Sequence, residues 1–221
     1  MPKYKAIIFD CDGVILDSNS FKINAMRDSL KLNNFSNKEI ELSIDYFRNN
    51  FGKSRFHHIQ YFLENFHPNP LNQESLLKSI LENYSYVCKR DYIFCNLTAG
   101  FQSIIKKIEC RNLFVASGSD ENELRHVFKA KGLSKYFELI LGSPTTKSQN
   151  IKKIINMNPM FKRKEFLMIG DSISDYQSAE ENGINFLAYL EYSQVKERMI
   201  NLSKEKDFLI LLNWSDLLEM I

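Results

Sequence analysis

The feature that most constrains this chain is a series of short, nearly continuous apolar runs. Each ends at an aspartate, serine or glycine, or lies close to one, and helical patterns separate them. Lys5–Phe9 stops at Asp10, Leu113–Ala116 at Ser117, Glu138–Leu141 at Gly142 and Glu165–Ile169 at Gly170. Asn185–Tyr189 and Phe208–Leu212 complete the set. Strands that are apolar at nearly every position are covered on both faces, which is the condition of a parallel sheet. Between them, Asp120-Glu-Asn-Glu123 has capping-box spacing and is followed by Leu124, Val127 and Phe128 on one face. Ser148–Met157 places Ile151, Ile154 and Ile155 on one stripe, and Asp175–Glu181 leads to Gly183. Gly132 and Gly183 stand where left-handed helix caps belong. The alternation predicts an α/β fold, a Rossmann-like doubly wound parallel sheet.

Residues 18–92 break that rhythm and contain no convincing strand. Ser36-Asn-Lys-Glu39 opens a helix to about Asn49, a second runs about Ser54–Phe66 until His67-Pro-Asn-Pro70 stops it, and a third covers about Gln73–Lys89. The expectation is an α/β core domain of residues 1–17 and 93–221, with a small all-helical domain of residues 18–92 inserted after the first strand. A chain of 221 residues accommodates one such domain and its insert.

Composition removes several classes of function. The 29 basic and 27 acidic residues nearly cancel, so neither a nucleic-acid nor a membrane-surface partner is expected. No apolar run approaches the roughly 18 residues of a membrane span, and the run at Ala6–Phe9 is too short for a secretion signal. Cys11, Cys88, Cys95 and Cys110 form no C-x-x-C pair and no zinc spacing with histidine, so free thiols in a cytoplasmic protein are expected.

Four segments at strand ends carry the chemistry, because ligands of open α/β sheets bind at that edge. Asp10-Cys-Asp12-Gly13 offers two carboxylates and a glycine for the turn. Ser117-Gly118-Ser119 offers a hydroxyl and backbone N–H groups for an anion. Lys147 stands at a helix start, against the dipole preference for anionic side chains there, which points to an anionic neighbour. Gly170-Asp171-Ser-x-x-Asp175 supplies carboxylates suited to a hard cation such as Mg²⁺. Taken singly, each segment also fits a turn, a helix cap or a solvated surface.

Together, in this order, the four resemble the motifs of the haloacid dehalogenase (HAD) superfamily of phosphotransferases. The insert is similar to the type C1 helical cap of its phosphoglycolate phosphatase-like and β-phosphoglucomutase-like members. The resemblance implies that Asp10 is the nucleophile that forms an aspartyl-phosphate, and that Asp12 is the general acid and base. It implies that Ser117, the Gly118 N–H and Lys147 bind and neutralise the phosphoryl group. Mg²⁺ would be held by Asp10, the main-chain carbonyl of Asp12 and Asp171, with Asp175 holding its waters or bracing Lys147. The expected activity is Mg²⁺-dependent hydrolysis of a small phosphorylated metabolite, a sugar phosphate or a phosphoglycolate-like compound. An acidic residue at position 12 argues against halide-releasing relatives. Lys22 stands where mutase relatives carry histidine, which disfavours the alternative of a phosphosugar mutase. Intact motifs disfavour a second alternative, a catalytically silent binding module. Lys22, and Lys53 and Arg55 in Phe51-Gly-Lys-Ser-Arg55, are expected to contact the leaving group. His57, His58, His67 and His126 fall in no motif and are read as surface or packing residues.

Overall fold

The computed structural model describes residues 4–67, 73–108 and 112–221. Cys110, the helix stop at Pro68-Asn69-Pro70 and the first residues of the chain lie outside the described residues. Six parallel strands form one sheet in the order β3-β2-β1-β4-β5-β6. They are β1 (Ala6–Phe9), β2 (Asn112–Asp120), β3 (Leu139–Ser143), β4 (Phe166–Gly170), β5 (Asn185–Tyr189) and β6 (Leu209–Leu211). The chain builds outward from β1 through β2 to β3, then starts again at β4 on the other side of β1. That reversal opens the crevice where such sheets bind ligands.

The continuous apolar runs have a direct structural cause. Alternate residues of a strand point to opposite faces, and here both faces are covered. Ile7, Phe9, Leu113, Val115, Leu167 and Ile169 face one core, against α5 (Phe101–Lys107), α6 (Glu121–Ala130) and the C-terminal turn α10 (Leu217–Met220) with Trp214. Ala6, Ile8, Phe114, Ala116, Phe166 and Met168 face the other. There they meet α7 (Lys147–Met157), α8 (Ile173–Asn182) and α9 (Lys196–Lys206).

Four helices between β1 and α5 enclose a third apolar cluster of their own. They are α1 (Asn19–Leu32), α2 (Asn37–Asn49), α3 (Arg55–Asn65) and α4 (Gln73–Asp91). Ser36 and Glu39 close a reciprocal capping box at the start of α2, and Ser54 caps α3. The apolar pattern of the sequence does not mark α1, because the buried face of its first turn is polar: Asn19 and Lys22 are both buried. Glu123 departs from the capping-box reading. Asp120 caps α6 alone, accepting from the Asn122 and Glu123 N–H groups, while the Glu123 side chain turns away to Arg55. No described helix is long and apolar enough to cross a membrane.

Candidate active site

The register places Phe9 beside both Val115 and Ile169, so the segments after β1 and β4 meet the Ser117–Ser119 stretch, which β2 carries on through, at one sheet edge. Past Phe9 the chain turns at once. The Cys11 carbonyl accepts from the Ile15 and Leu16 N–H groups at 2.9 Å, and Gly13 takes a φ of +80°. A side chain at Gly13 would be strained there, and its Cβ would lie 2.1 Å from Asp171 Oδ2. The turn aims Asp10 and Asp12, two residues apart, at the same edge.

Asp10, Asp171 and Asp175 are buried together, with one carboxylate oxygen from each within 4.8 Å of the others. Lys147 projects among them from the first residue of α7, where Thr146 caps the helix. Its Nζ lies 2.9 Å from Asp10 Oδ1 and donates to Asp175 Oδ1. Asp175 is held in turn by its Oδ2, which accepts from the Asp171 and Ser172 N–H groups and the Ser172 hydroxyl. Burial pushes the Asp10 carboxyl up to about 7 against the pull of Lys147, with Asp175 and Asp12 adding to the rise. Burial and the neighbouring carboxylates likewise push Asp171 well up. Burial opposes the charge of Lys147, but Asp10 and Asp175 overcome it and hold the ammonium protonated.

This donor set fits a hard divalent cation. Asp10 Oδ1 is buried and faces only the Lys147 ammonium, at 2.9 Å, so one of its lone pairs is left for a cation. Three crowded carboxylates share one lysine in a buried place, where burial favours their protonated forms, and an oxygen-seeking cation can take the place of those protons. The Asp12 side chain stands outside this cluster.

Asp12 lies on the other side of the turn. Its Oδ1 accepts from Ser18 at 2.5 Å and from the Tyr92 hydroxyl at 2.7 Å, and its Oδ2 accepts from Ser119 at 2.6 Å. Lys22 Nζ lies 4.0 Å from Oδ1, donates to Ser119 at 3.1 Å and sits 3.7 Å above the Tyr92 ring. Burial raises the carboxyl, but Lys22 and the three hydroxyls outweigh it and hold Asp12 below the usual carboxylate range. Lys22 is thus a buried partner of Asp12.

The start of α1 is fastened to this edge. Ser18 reaches Asp12, Asn19 donates to Asp171 Oδ2 at 3.0 Å and to the Tyr192 carbonyl, and Lys22 reaches Ser119. The turn before α3 closes over the same edge. The Gly52 and Lys53 carbonyls press on Gly118 so closely that a Cβ there would lie 2.3 and 2.9 Å from their oxygens. Between helices and sheet a chamber of about 30 Å³ remains, lined by Asp10, Asp12, Lys22, Lys53, Ser117 and His58 among others. That is room for a water or two.

The candidate residues divide accordingly. Asp10, Asp12, Ser117, Gly118 and Lys22 meet at the chamber, where Lys53 and Arg55 also stand, and Lys147, Asp171 and Asp175 lie beside Asp10. Arg55, however, is engaged: it makes two bonds to Glu123, another to Ser85, and lies over the Tyr84 ring. His58 is a packing residue, as read, but its ring also lines the chamber. Asn19 and Tyr92 carry no signal in the sequence, since each acts across a long separation; Ser18, six residues from Asp12, belongs to no motif, and Glu123 read as a helix cap. Ser119 adjoins Ser117-Gly118 and was legible as part of that turn.

Comparison with known proteins agrees with this geometry. The family model for haloacid dehalogenase-like hydrolases matches residues 7–189. A phosphoglycolate phosphatase of Rhodobacter capsulatus is 22% identical over 190 residues, which cover 84% of each chain. Among solved structures, a haloacid dehalogenase-like family hydrolase of Streptococcus pneumoniae superimposes with a TM-score of 0.72. It is 18% identical and covers 100% of this chain and 99% of its own. A HAD-superfamily hydrolase of Geobacter sulfurreducens gives 0.63 at 16% identity, covering 99% and 96%. The family model spans all four motif segments and both sides of the helical insert, and on that match the chain belongs to the haloacid dehalogenase-like hydrolases.

Proposed function

We propose that this chain, a phosphatase of that family, is a Mg²⁺-dependent phosphomonoesterase acting on a small phosphorylated metabolite through an aspartyl-phosphate on Asp10. The observation that carries the reading is Lys147, buried between Asp10 and Asp175 at the edge where Asp12 and Ser117 also stand. A cation held there by Asp10, Asp171 and the Asp12 carbonyl would offset charge on the phosphoryl oxygens.

The remaining work falls to the chain's own side chains. An Asp10 carboxylate oxygen attacks phosphorus in line, its bond to phosphorus forming as the ester P–O bond breaks. Lys147, Ser117 and the Gly118 N–H face the equatorial oxygens and balance their charge. Asp12 delivers a proton to the departing oxygen and recovers one from the water that hydrolyses the acyl phosphate. The ligand-free arrangement, with Asp12 held ionised, suits that second half. A phosphate dianion bound alongside raises its proton affinity for the first. The helices α1–α4 act as the cap, the unit of residues 18–92. With a chamber of about 30 Å³, substrate enters only when the cap lifts, and closure then excludes bulk water.

The test is hydrolysis of p-nitrophenyl phosphate with and without Mg²⁺, followed by borohydride quenching during turnover. Reduction of an acyl phosphate at Asp10 to homoserine, found by peptide mass spectrometry, is the expected result. Steady turnover with no homoserine at position 10 under any quench time overturns the covalent mechanism.

A further inference from the structure

The polar groups of the chamber are almost all matched. Lys147 stands against Asp10 and Asp175, Lys22 against Asp12, and Arg55 against Glu123. Lys53 has no carboxylate against it among the described residues. It borders both the chamber and an outer crevice of about 320 Å³ lined by Ser54, Thr145, Ser148 and Ser174, so its charge is not confined to a bound leaving group.

His58 is different. It projects from the first turn of α3 into the wall of the chamber, is 1% exposed, and its Nδ1 has no hydrogen-bond partner. Its ring meets Phe47 edge-on, with centroids 4.6 Å apart, and lies tilted 6.2 Å from Phe62. Aromatic packing therefore fixes its orientation. Burial first, then the charges of His57 and Lys53, push its pKa down to about 3 against the opposing pull of the Lys53 backbone, so the ring is neutral. A neutral imidazole is one donor and one acceptor and brings no charge to a carboxylate. With the ring N–H turned to the Lys53 backbone, the acceptor nitrogen is left over, and a hydroxyl donates to it where a carboxylate has no proton to give. The neighbouring wall is carbon surface from Phe47, Phe51 and Tyr84, suited to the skeleton of a small alcohol.

We propose that His58 is a specificity-determining residue that hydrogen-bonds a hydroxyl of the leaving group, so that the substrate is the phosphate ester of a short polyol or sugar. The assignment rests on the phosphatase reading above and chooses between the two substrate classes it leaves. An unpartnered buried nitrogen is a standing penalty in the closed enzyme, and a leaving-group hydroxyl removes it.

The experiment compares glycerol 3-phosphate, which carries hydroxyls, 2-phosphoglycolate, which carries a carboxylate, and acetyl phosphate, which carries neither. The wild-type enzyme is expected to favour glycerol 3-phosphate over 2-phosphoglycolate in kcat/KM. His58→Phe should lower kcat/KM for glycerol 3-phosphate by about 10- to 100-fold, chiefly through KM, and leave acetyl phosphate within about twofold. His58→Asn, which keeps a polar atom where Nδ1 stands, should restore most of the loss. Preference for 2-phosphoglycolate that Lys53→Ala removes would overturn the assignment, as would equal losses on all three compounds or none. Circular dichroism checks the fold. If His58→Phe does not fold, His58→Gln replaces it with the polar atom displaced, and equality of the Asn and Gln variants on every compound overturns the assignment. No turnover of acetyl phosphate by the wild type would instead overturn the phosphatase reading, and the assignment with it.

Discussion

Arg55, at the first position of α3, and Glu123, in the first turn of α6, join the helical insert to the sheet domain by two parallel bonds of 2.8 and 2.5 Å. Both side chains are nearly inaccessible, and burial opposes the guanidinium's charge while Glu123 and Tyr84 hold it. The pair is a latch across the two halves of the molecule. Removing one partner leaves an uncompensated buried charge, which costs about 3–5 kcal/mol. Glu123→Ala should therefore destabilise the closed form, lower the urea midpoint and reduce kcat/KM on every substrate alike. The exchange Arg55→Glu with Glu123→Arg should recover part of both. A Glu123→Ala enzyme with unchanged midpoint and kinetics would show that the contact does not hold the halves together.

Gly118 should behave as a gate of a different kind. A Cβ at this position would lie 2.3 Å from the Gly52 oxygen and 2.7 Å from its carbon, both main-chain atoms of the insert. The sheet domain does not need that contact to fold. Gly118→Ala should thus keep near-wild-type stability, lose at least about tenfold in kcat, and show greater protease sensitivity around residues 50–54. Full activity would mean that the loop yields without cost.

Asp10→Asn should abolish turnover while the fold survives. An amide is a very poor nucleophile, and the exchange also removes an oxygen proposed to hold the metal and the charge facing Lys147. Thermal unfolding and circular dichroism check the fold, and phosphate release checks the chemistry. Comparable turnover by the folded variant would rule out Asp10 as nucleophile.

Asp12→Ala should discriminate among leaving groups. Acid catalysis is worth about 10²–10⁴-fold and matters most for a basic alkoxide, so alkyl phosphates should suffer far more than p-nitrophenyl phosphate. Equal losses on both would take the acid role away from Asp12.

Metal and pH are linked through Asp10. Its carboxyl rises from 3.8 to about 7 on folding without metal, mainly by burial. A raised carboxyl stabilises the fold fully below about pH 4, and that contribution is lost as pH rises through about 7. The metal-free protein should therefore weaken between those limits. Mg²⁺, which favours the ionised form, should raise Tm more at about pH 8 than at about pH 5. Chelation should silence activity and Mg²⁺ restore it, with Asp171→Ala raising the Mg²⁺ requirement. An equal Tm shift at both pH values would remove the linkage.

What the sequence by itself determined is local. Apolar runs become strands with both faces covered, Ser36 and Ser54 start helices, Gly183 ends one, and the carboxylates of Asp10 and Asp171 fall at strand ends. Each of these follows from neighbours a few residues away, through hydrogen bonds and side-chain periodicity that a linear reading captures. Tertiary structure decided the rest. The parallel registers of β1 against β2 and β4, and of β2 against β3, set Asp10 beside Lys147 and Asp175, more than a hundred residues away in sequence. The first turn of α1 is polar, and so without signal, because it reaches Asp12, Asp171 and Ser119 instead of an apolar core. Arg55 reads in the sequence as a contact for the leaving group, and Glu123 as part of a cap. Their pairing depends on how the helical insert settles on the sheet, where burial makes an unmatched charge costly and each becomes the other's partner.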